Sequence, residues 1–273
     1  MKKRRLDELL VERQLAENME MAKRIVMAGL VFSGTTRLDK PGMTVDEKTP
    51  IEVKGNKKNH PYVSRGGLKL EKALKEFDLS VKGKILIDIG SSTGGFTDCA
   101  LQHGAIRSYA IDVGYNQLDW KLRKDRRVIV MERTNFRHVT PDMLKEGMPQ
   151  VASIDVSFIS LKLILPVLKH LLRPDSDIIA LIKPQFEAKK EQVGLKGIVK
   201  DKSVHLHVLE EIIDFAKEEQ YELLNLTYSP ITGGEGNVEF LAHLGWEKLT
   251  SQPAEINIEN IVNDAHNYFH IGE

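Results

Sequence analysis

The chain has 273 residues, of which 41% are hydrophobic and 29% are charged, and its formal net charge is zero. These values are ordinary for a soluble globular protein and allow one large domain, or one domain with a small companion. A single cysteine, Cys99, excludes an internal disulfide bond and fits a reducing cytoplasm. The basic start lacks the apolar segment of a signal peptide, and the apolar stretch 158–172 is too short to span a bilayer. We therefore expect a cytoplasmic protein.

The N-terminal part of the chain carries a local excess of positive charge. Residues 1–60 contain 13 lysines and arginines against 9 acidic residues, and the run Lys54 to Lys58 is part of that excess. A basic end on a neutral protein suggests an anionic partner, although a solvated terminus gives the same pattern. The apolar spacing predicts helices at 5–18 and 19–28, followed by short strands at 31–34 and 49–53.

The rest of the chain alternates predicted strands with predicted helices. Strands are predicted at 85–89, 108–113, 127–131, 151–155, 178–182, 223–228 and 238–243. Helices are predicted at 67–77, 95–103, 116–124, 160–172, 203–219 and 257–270. This alternation indicates an α/β fold with a largely parallel sheet that is covered on both faces. The last two strands follow each other without a full helix, which suggests a closing antiparallel hairpin.

The segment KILIDIGSSTGGFT, at 84–97, reads as a strand, a turn of small residues and the start of a helix. A Rossmann-type sheet begins in this way, with a nucleotide-bearing ligand on the turn. The turn lacks both the G-x-G-x-x-G spacing and the Gly-Lys-Ser/Thr of a phosphate-binding loop. The alternative interpretation of this segment is a tight connection between strand and helix that binds no ligand.

Acidic residues stand at the ends of the first four predicted strands, where ligands bind in an open parallel sheet. They are Asp88, Asp112, Glu132 and Asp155. The spacing from Gly90 to Asp112 is close to that of an acid that contacts a ribose diol in this fold class. NAD and S-adenosylmethionine both fit that spacing. The missing phosphate-binding spacing favours S-adenosylmethionine, which has no phosphate.

Four further residues are expected to meet at the same edge of the sheet: Lys69, Asp155, Lys183 and Glu239. Lys183 is unusual because it ends a continuously apolar strand. A buried lysine beside a second cation can accept a proton at neutral pH, and carboxylates beside it limit the cost of burying charge. For each lysine the alternative is a surface residue whose stem packs on the protein.

These motifs resemble the TlyA (haemolysin A-like) family of rRNA 2′-O-methyltransferases, in which an S4 RNA-binding domain precedes an FtsJ/RrmJ-type methyltransferase. The motifs that carry the resemblance are RLD, KPG, YVSRGGLKL, DIGSSTGGFTD, DVGYNQL, ERTNFR, DVSFISL, IKPQFE and GNVEF. One S4 feature is absent, because the Ser-Arg that usually begins the second helix is replaced by Met19-Glu20. The resemblance implies an S4-like α+β domain at 1–59, a basic linker at 60–66 and a Rossmann-like class I methyltransferase domain at 67–273.

The resemblance also implies a reaction and its residues. S-adenosylmethionine would donate a methyl group to the ribose of a cytidine in ribosomal RNA. Lys183 would activate the 2′-hydroxyl, and Lys69, Asp155 and Glu239 would complete the catalytic group. The implied cofactor contacts are Asp88, Gly90, Ser91, Ser92, Thr93, Gly94, Gly95, Phe96, Asp112, Val113, Glu132, Asn135 and Asp155. The implied RNA contacts are Arg4, Arg5, Lys23, Arg24, Arg65, Lys69 and Lys189.

Several expectations and alternatives accompany this interpretation. We expect a monomer that binds ribosomal RNA or ribosomal subunits, without a metal ion and without a membrane. The first alternative is a ribosome-binding or RNA-binding protein that has no catalytic activity. A membrane-active haemolysin, which the older family name suggests, and an NAD-dependent dehydrogenase are the others. For residues 1–59, the alternative is a small helical cap on the enzyme.

Overall fold

A computed structural model describes residues 3–13, 15–16, 18–53, 60–248 and 256–271, in two compact units, Met1–Pro61 and Tyr62–Glu273. The basic run at 54–58 lies outside the described residues. The predicted linker at 60–66 differs from this division, because the second unit already begins at Tyr62. The buried Tyr62 hydroxyl donates a hydrogen bond to Glu71 at 2.6 Å, and the Val63 N–H donates to Asp98 at 2.8 Å. These bonds fix the segment before the first long helix to its own unit.

The described residues of the first unit form two helices and five short strands. They are β1 Lys3–Arg5, α1 Leu6–Glu12, α2 Met19–Met27, β2 Val31–Ser33, β3 Thr36–Arg37, β4 Thr44–Asp46 and β5 Glu52–Val53. β1 pairs with β4, and β2 lies between β3 and β5. The first predicted helix is shorter than expected. The second begins where predicted, because the Asn18 side chain accepts a hydrogen bond from the Met21 N–H and caps it. The inner faces of both helices pack into a small apolar core around Leu10 and Val26.

The second unit carries the predicted alternation of strands and helices. Its first half contains α3 Gly67–Glu76, β6 Ile85–Ile89, α4 Gly95–Gln102, β7 Arg107–Ile111, α5 Trp120–Arg123, β8 Val128–Met131 and β9 Val151–Ile154. Its second half contains α6 Leu165–Leu168, β10 Ser176–Ile182, α7 Pro184–Glu187, α8 Lys202–Glu218, β11 Tyr221–Tyr228, β12 Phe240–Trp246 and α9 Ile258–Tyr268.

In the part of the second unit that the structure describes, seven strands form one sheet in the order β11-β12-β10-β9-β6-β7-β8. The strands from β10 to β8 in this order run parallel, and β12 is antiparallel to both of its neighbours. This confirms the predicted Rossmann-like α/β sheet and its antiparallel hairpin. All residues of β6, β10 and β12 are buried, as expected for strands that are covered on both faces. The order of the last strands was not predicted, because β12 inserts between β10 and β11.

Two predicted helices differ from the structure. The predicted helix at 160–172 consists of a 3-10 turn, Leu161–Leu163, and the short helix α6. Pro166 lies in the first turn of α6, where its missing N–H is tolerated but a continuous helix through it is not. The predicted helix at 116–124 begins only at Trp120. The N–H groups of residues 116–118 donate to the Glu132 carboxylate at 2.9, 3.0 and 3.2 Å and are not available to a helix.

Within the described residues, no helix is long and apolar enough to cross a membrane.

The buried carboxylate of Asp177 contacts three basic side chains at the edge of the sheet where β10 begins. Asp177 accepts hydrogen bonds from Lys84 at 3.1 Å and His243 at 2.9 Å, and Lys248 Nζ lies 2.7 Å from it. Burial alone would raise the pKa of Asp177, but the bonds from His243 and the two lysines hold it well below its ordinary value. A carboxylate whose pKa is depressed in the folded state stabilises the fold above its unfolded pKa, and this stabilisation is lost as the pH falls.

Asp177→Asn should lower the free energy of unfolding at pH 7 by roughly 2 kcal/mol, because charged donors lose their acceptor. The deficit relative to wild type should shrink as the pH falls below about 4, where the unfolded aspartate takes up its proton. Urea unfolding at pH 7 and pH 3.5, followed by circular dichroism, measures both values. Asp214→Asn, at an exposed site on α8, is the control. An equal loss in the free energy of unfolding at both pH values would contradict a depressed pKa of Asp177 in the folded protein.

Candidate active site

The glycine turn holds the ends of three strands together. Gly90 follows β6 directly with φ +82°, and the N–H groups of Gly90 and Ser91 donate to the Ile111 carbonyl at 2.9 and 3.0 Å. A Cβ atom on Gly90 would lie 2.5 Å from the backbone oxygen of Asp155. Both the positive φ and this close approach require glycine. The turn therefore lies against the ends of β7 and β9, where ligands bind in such sheets.

A cavity of about 340 Å³, here named the turn cavity, opens beside this turn. Six of the predicted cofactor contacts line it: Gly90, Ser92, Asp112, Val113, Asn135 and Asp155. Residues that were not predicted also line it: Ile89, Ile111, Gln117, Thr134, Phe136, Val156, Ser157, Phe158, Ile159 and Ile164. The DVSFISL motif contained a signal for several of them, since it extends past the end of β9.

Asp112 is placed to contact a ligand. It follows β7 directly, and its carboxylate oxygens accept hydrogen bonds from the Ser92 N–H at 2.8 Å and the Gly114 N–H at 2.7 Å. A carboxylate oxygen has two lone pairs, so each oxygen can accept one more donor. The backbone bonds fix the orientation of the side chain, and the remaining lone pairs can receive a pair of hydroxyl groups.

Glu132, which was predicted to contact the cofactor, already has several hydrogen-bond donors within the protein. Its carboxylate accepts hydrogen bonds from the N–H groups of residues 116–118 and from Arg123. The Arg123 guanidinium and these backbone donors lower the pKa of Glu132 to about 2. Glu132 is not among the described residues that line either the turn cavity or the second cavity of the site. Its role is to hold the loop that carries Gln117 against the turn cavity.

Two other predicted cofactor contacts also have structural roles. Asp88 lies inside β6 and is fully buried, where it accepts hydrogen bonds from Thr97 Oγ1 at 2.7 Å and Ser153 Oγ at 2.8 Å. Burial raises the pKa of Asp88, and these hydrogen bonds offset part of that increase. The resulting pKa is about 6. Gly94 has φ +98° and packs on Leu122, where a Cβ atom would lie 2.2 Å from a methyl carbon. Both residues support the turn from within the fold.

A second cavity of about 310 Å³, here named the lysine cavity, shares residues with the turn cavity. Gly90, Ser92, Asp155 and Ser157 line both cavities. The predicted residues that line only the lysine cavity are Arg65, Lys69, Asp88, Ser91, Thr93, Gly95, Phe96, Lys183 and Glu239. The predicted catalytic group and the predicted cofactor turn therefore meet at a common wall.

The four predicted catalytic residues form one continuous ionic network. Lys69 Nζ lies 2.7 Å from Glu239 Oε2 and 3.4 Å from Asp155 Oδ2. Lys183 Nζ lies 2.6 Å from the other Asp155 oxygen, Oδ1, and donates a hydrogen bond to Ser157 Oγ at 3.2 Å. Asp155 and Lys183 directly follow β9 and β10, and Glu239 directly precedes β12. Adjacent strands thus place these side chains next to one another.

Charge pairing outweighs burial for two members of this network. Burial alone would lower the pKa of Lys69, but the carboxylates of Asp155 and Glu239 raise it above the ordinary lysine value. Burial alone would raise the pKa of Asp155, but the Lys69 and Lys183 cations hold it below its ordinary value. Lys69 is therefore a cation and Asp155 a carboxylate at neutral pH.

The predicted RNA contacts differ in whether their side chains already pair with carboxylates of the protein. Arg5 pairs with the buried Asp7 through bonds of 3.0 and 2.7 Å, and 47% of its side chain is exposed, so its contact with RNA stays a prediction. Arg4 lies 3.2 Å from Glu12 and 3.7 Å from Glu8. The remaining predicted basic residues with exposed side chains are Lys23, Arg24, Arg65 and Lys189. Across the described residues, no group of three His, Cys, Asp or Glu side chains is arranged to hold a metal ion.

Known proteins resemble this chain over most of its length. The profile of the FtsJ-like methyltransferases matches residues 62–246. YqxC of Bacillus subtilis (strain 168), named as a candidate rRNA methyltransferase, is 62% identical over 97% of this chain and 95% of its own length. A Mycobacterium tuberculosis (strain CDC 1551 / Oshkosh) protein, named 16S/23S rRNA (cytidine-2′-O)-methyltransferase TlyA, is 40% identical over 88% of this chain and 89% of its own length. A solved structure from Streptococcus thermophilus, described as a candidate hemolysin, is 51% identical, has a TM-score of 0.76 and covers 99% of this chain and 98% of its own.

Gly90→Ala should destabilise the protein more than Gly83→Ala. Both glycines have positive φ, so both alanines carry the same backbone strain of roughly 1–2 kcal/mol. A Cβ atom at Gly83 has nothing within 4 Å, whereas at Gly90 it meets the Asp155 carbonyl. We expect a further loss of about 1–3 kcal/mol for Gly90→Ala, the usual cost of overpacking. Urea unfolding of both variants measures the difference, and equal losses would show that the close approach to β9 is not required.

Proposed function

The chain belongs to the FtsJ-like methyltransferase family, and from that premise we propose that it methylates a ribose 2′-hydroxyl in ribosomal RNA, with S-adenosylmethionine as methyl donor. The target nucleotide in this proposal is a cytidine, as in the name of the TlyA relative. The observation that carries the proposal is the Lys69–Asp155–Lys183–Glu239 network beside the turn cavity. A donor in the turn cavity and a ribose in the lysine cavity would meet at Asp155.

The turn cavity suits S-adenosylmethionine in size and chemistry. Its volume of about 340 Å³ lies within the usual range for small-molecule sites. Asp112 would accept hydrogen bonds from the ribose hydroxyls, and apolar residues such as Phe136 and Ile159 would surround the adenine ring. The carboxylates of Asp112 and Asp155 favour a sulfonium cation and disfavour the pyrophosphate of NAD. This charge pattern supports the choice between the two cofactors.

The chemical step assigned to this chain is activation of the ribose hydroxyl. S-adenosylmethionine, when bound, supplies an electrophilic methyl group on its sulfonium sulfur. Lys183 Nζ would accept the 2′-hydroxyl proton as the oxygen forms its bond to the methyl carbon. Asp155 Oδ1, 2.6 Å from the same nitrogen, would hold the amine in place and balance the charge of the ammonium that results.

Lys69 would have a different task from Lys183. It lies between two carboxylates, and both raise its pKa, so it keeps its proton throughout the reaction. A permanent cation at this position holds Asp155 and Glu239 ionised and oriented. It would also attract the phosphate groups that flank the target ribose.

Exposed residues of the second unit would contact RNA. Arg65 and Lys189 are exposed cations that can pair with phosphate groups. Phe158 follows Ser157 and has 90% of its surface exposed, so its ring can stack on a base that has left the RNA helix. If residues 1–59 act as the S4 domain that they resemble, they would add further phosphate contacts. Lys23 and Arg24 are exposed and could make such contacts.

Lys183→Ala should slow methyl transfer by roughly a hundredfold to ten-thousandfold, the usual contribution of a general base. The Michaelis constant for S-adenosylmethionine should change little, because Lys183 lines the lysine cavity and not the turn cavity. Transfer of labelled methyl groups to ribosomal subunits from cells that lack the protein measures both quantities. Lys217→Ala, on the exposed face of α8, is the matched control.

Three outcomes would contradict the proposal. Undiminished transfer by Lys183→Ala would remove the catalytic role of that lysine. Absence of transfer by the wild-type protein to any ribosomal substrate, combined with binding to the ribosome, would favour a non-catalytic RNA-binding protein. Binding of NADH, or leakage of liposomes caused by the purified protein, would support a dehydrogenase or a haemolysin. Mapping ribose methylation in rRNA from cells with and without the protein identifies the nucleotide.

A further inference from the structure

Ser157 is a second oxygen acceptor at the Lys183 amine. It lies two residues after Asp155 on the segment that follows β9, and it lines both cavities. Its hydroxyl oxygen accepts a hydrogen bond from Lys183 Nζ at 3.2 Å, while Asp155 Oδ1 lies 2.6 Å from the same nitrogen. The two acceptors thus hold one amine from the same loop.

The geometry of an amine gives this pair of acceptors a specific consequence. A neutral lysine nitrogen has two N–H groups and one lone pair around the Cε–Nζ bond. An oxygen that accepts a hydrogen bond attracts an N–H group and repels a lone pair, whereas the O–H group of a serine that donates would attract the lone pair. When Asp155 and Ser157 each receive one N–H group, the lone pair of Lys183 takes the third position.

With Asp155 as its only acceptor, the amine of Lys183 would not have a fixed direction for its lone pair. One fixed N–H group still allows the second N–H group and the lone pair to exchange positions by rotation about Cε–Nζ. In the exchanged state, Lys183 would donate a hydrogen bond to the ribose oxygen and could not accept its proton. While Ser157 accepts the second N–H group, as its oxygen does in the structure, that non-productive state is disfavoured. Burial of Lys183, of which 7% is exposed, limits rotation of the rest of the side chain.

We propose that Ser157 is a positioning residue that aims the lone pair of Lys183 at the ribose 2′-hydroxyl, an inference that rests on the proposed function. In the step that it serves, the hydroxyl proton moves to Lys183 Nζ and the 2′-oxygen forms its bond to the methyl carbon. The carbon–sulfur bond of the donor breaks, its electron pair stays on sulfur, and the neutral thioether leaves. Ser157 gains and loses no atom in this step.

Single-turnover methyl transfer tests the proposal with three substitutions at one position. Ser157→Ala removes the acceptor and should slow transfer about tenfold, the factor that corresponds to one hydrogen bond of ordinary strength. The Michaelis constants for S-adenosylmethionine and for RNA should stay within about twofold of wild type, because binding is not what the hydroxyl supports. Ser157→Thr keeps the hydroxyl and should recover most of the rate. Ser157→Cys keeps the size but is a weak acceptor, and it should be nearly as slow as Ser157→Ala.

The controls separate this inference from the proposed function. Ser80→Ala removes an exposed serine hydroxyl far along the chain and should transfer methyl groups at the wild-type rate. Binding of S-adenosylmethionine to each variant shows that it is folded, and the cysteine variant replaces alanine if the latter does not fold. A wild-type rate in Ser157→Ala, or a threonine variant as slow as alanine, would overturn the positioning role. A raised Michaelis constant with an unchanged rate would also overturn it, because the hydroxyl would then be a ligand contact. Inactive wild-type protein would instead refute the proposed function.

Discussion

The site depends on one carboxylate that pairs with two lysines. Asp155 presents one oxygen to Lys69 and the other to Lys183, and Glu239 accepts the second contact from Lys69. Two cations and two anions balance in the resting network, which makes their burial tolerable. Lys183 has to release its proton before it can accept one from a ribose hydroxyl. Removal of Asp155 would leave Lys183 without an ionic partner, and removal of Lys69 would leave Glu239 without one, so these side chains depend on one another.

The directions of the strands bring this unit together. Asp155 and Lys183 follow the neighbouring parallel strands β9 and β10, so both lie at the carboxyl edge of the sheet. β12 pairs with β10 in the antiparallel direction, with Phe240 opposite Ile182. The start of β12, and not its end, therefore lies at that edge, and the residue before the strand is Glu239. A parallel strand in the same place would carry this carboxylate to the opposite edge.

Sequence reasoning predicted the parts of the site that depend on strand ends. Lys183 stood out because it ends an uninterrupted apolar strand, and Asp155 because it ends the strand before. The insertion of β12 between β10 and β11 could not be predicted, because sequence order does not determine the order of strands in a sheet. Asp88 was expected to reach a ligand from the end of the first strand, but it is the fourth residue of β6, which ends at Ile89 as predicted. Its side chain is therefore buried beside α4 instead of reaching over the edge.

Asp112 and Glu132 show why an acid at a strand end is an ambiguous signal. Each directly follows a parallel strand, and the two strands are neighbours. The loop after β7 is not helical, so its N–H groups at 116–118 need an acceptor, and the Glu132 carboxylate receives all three. Arg123 then neutralises that carboxylate. Asp112 receives only two backbone donors and keeps lone pairs that face the turn cavity. The supply of nearby backbone donors, which depends on the folded loop, thus decides which acid remains available to a ligand.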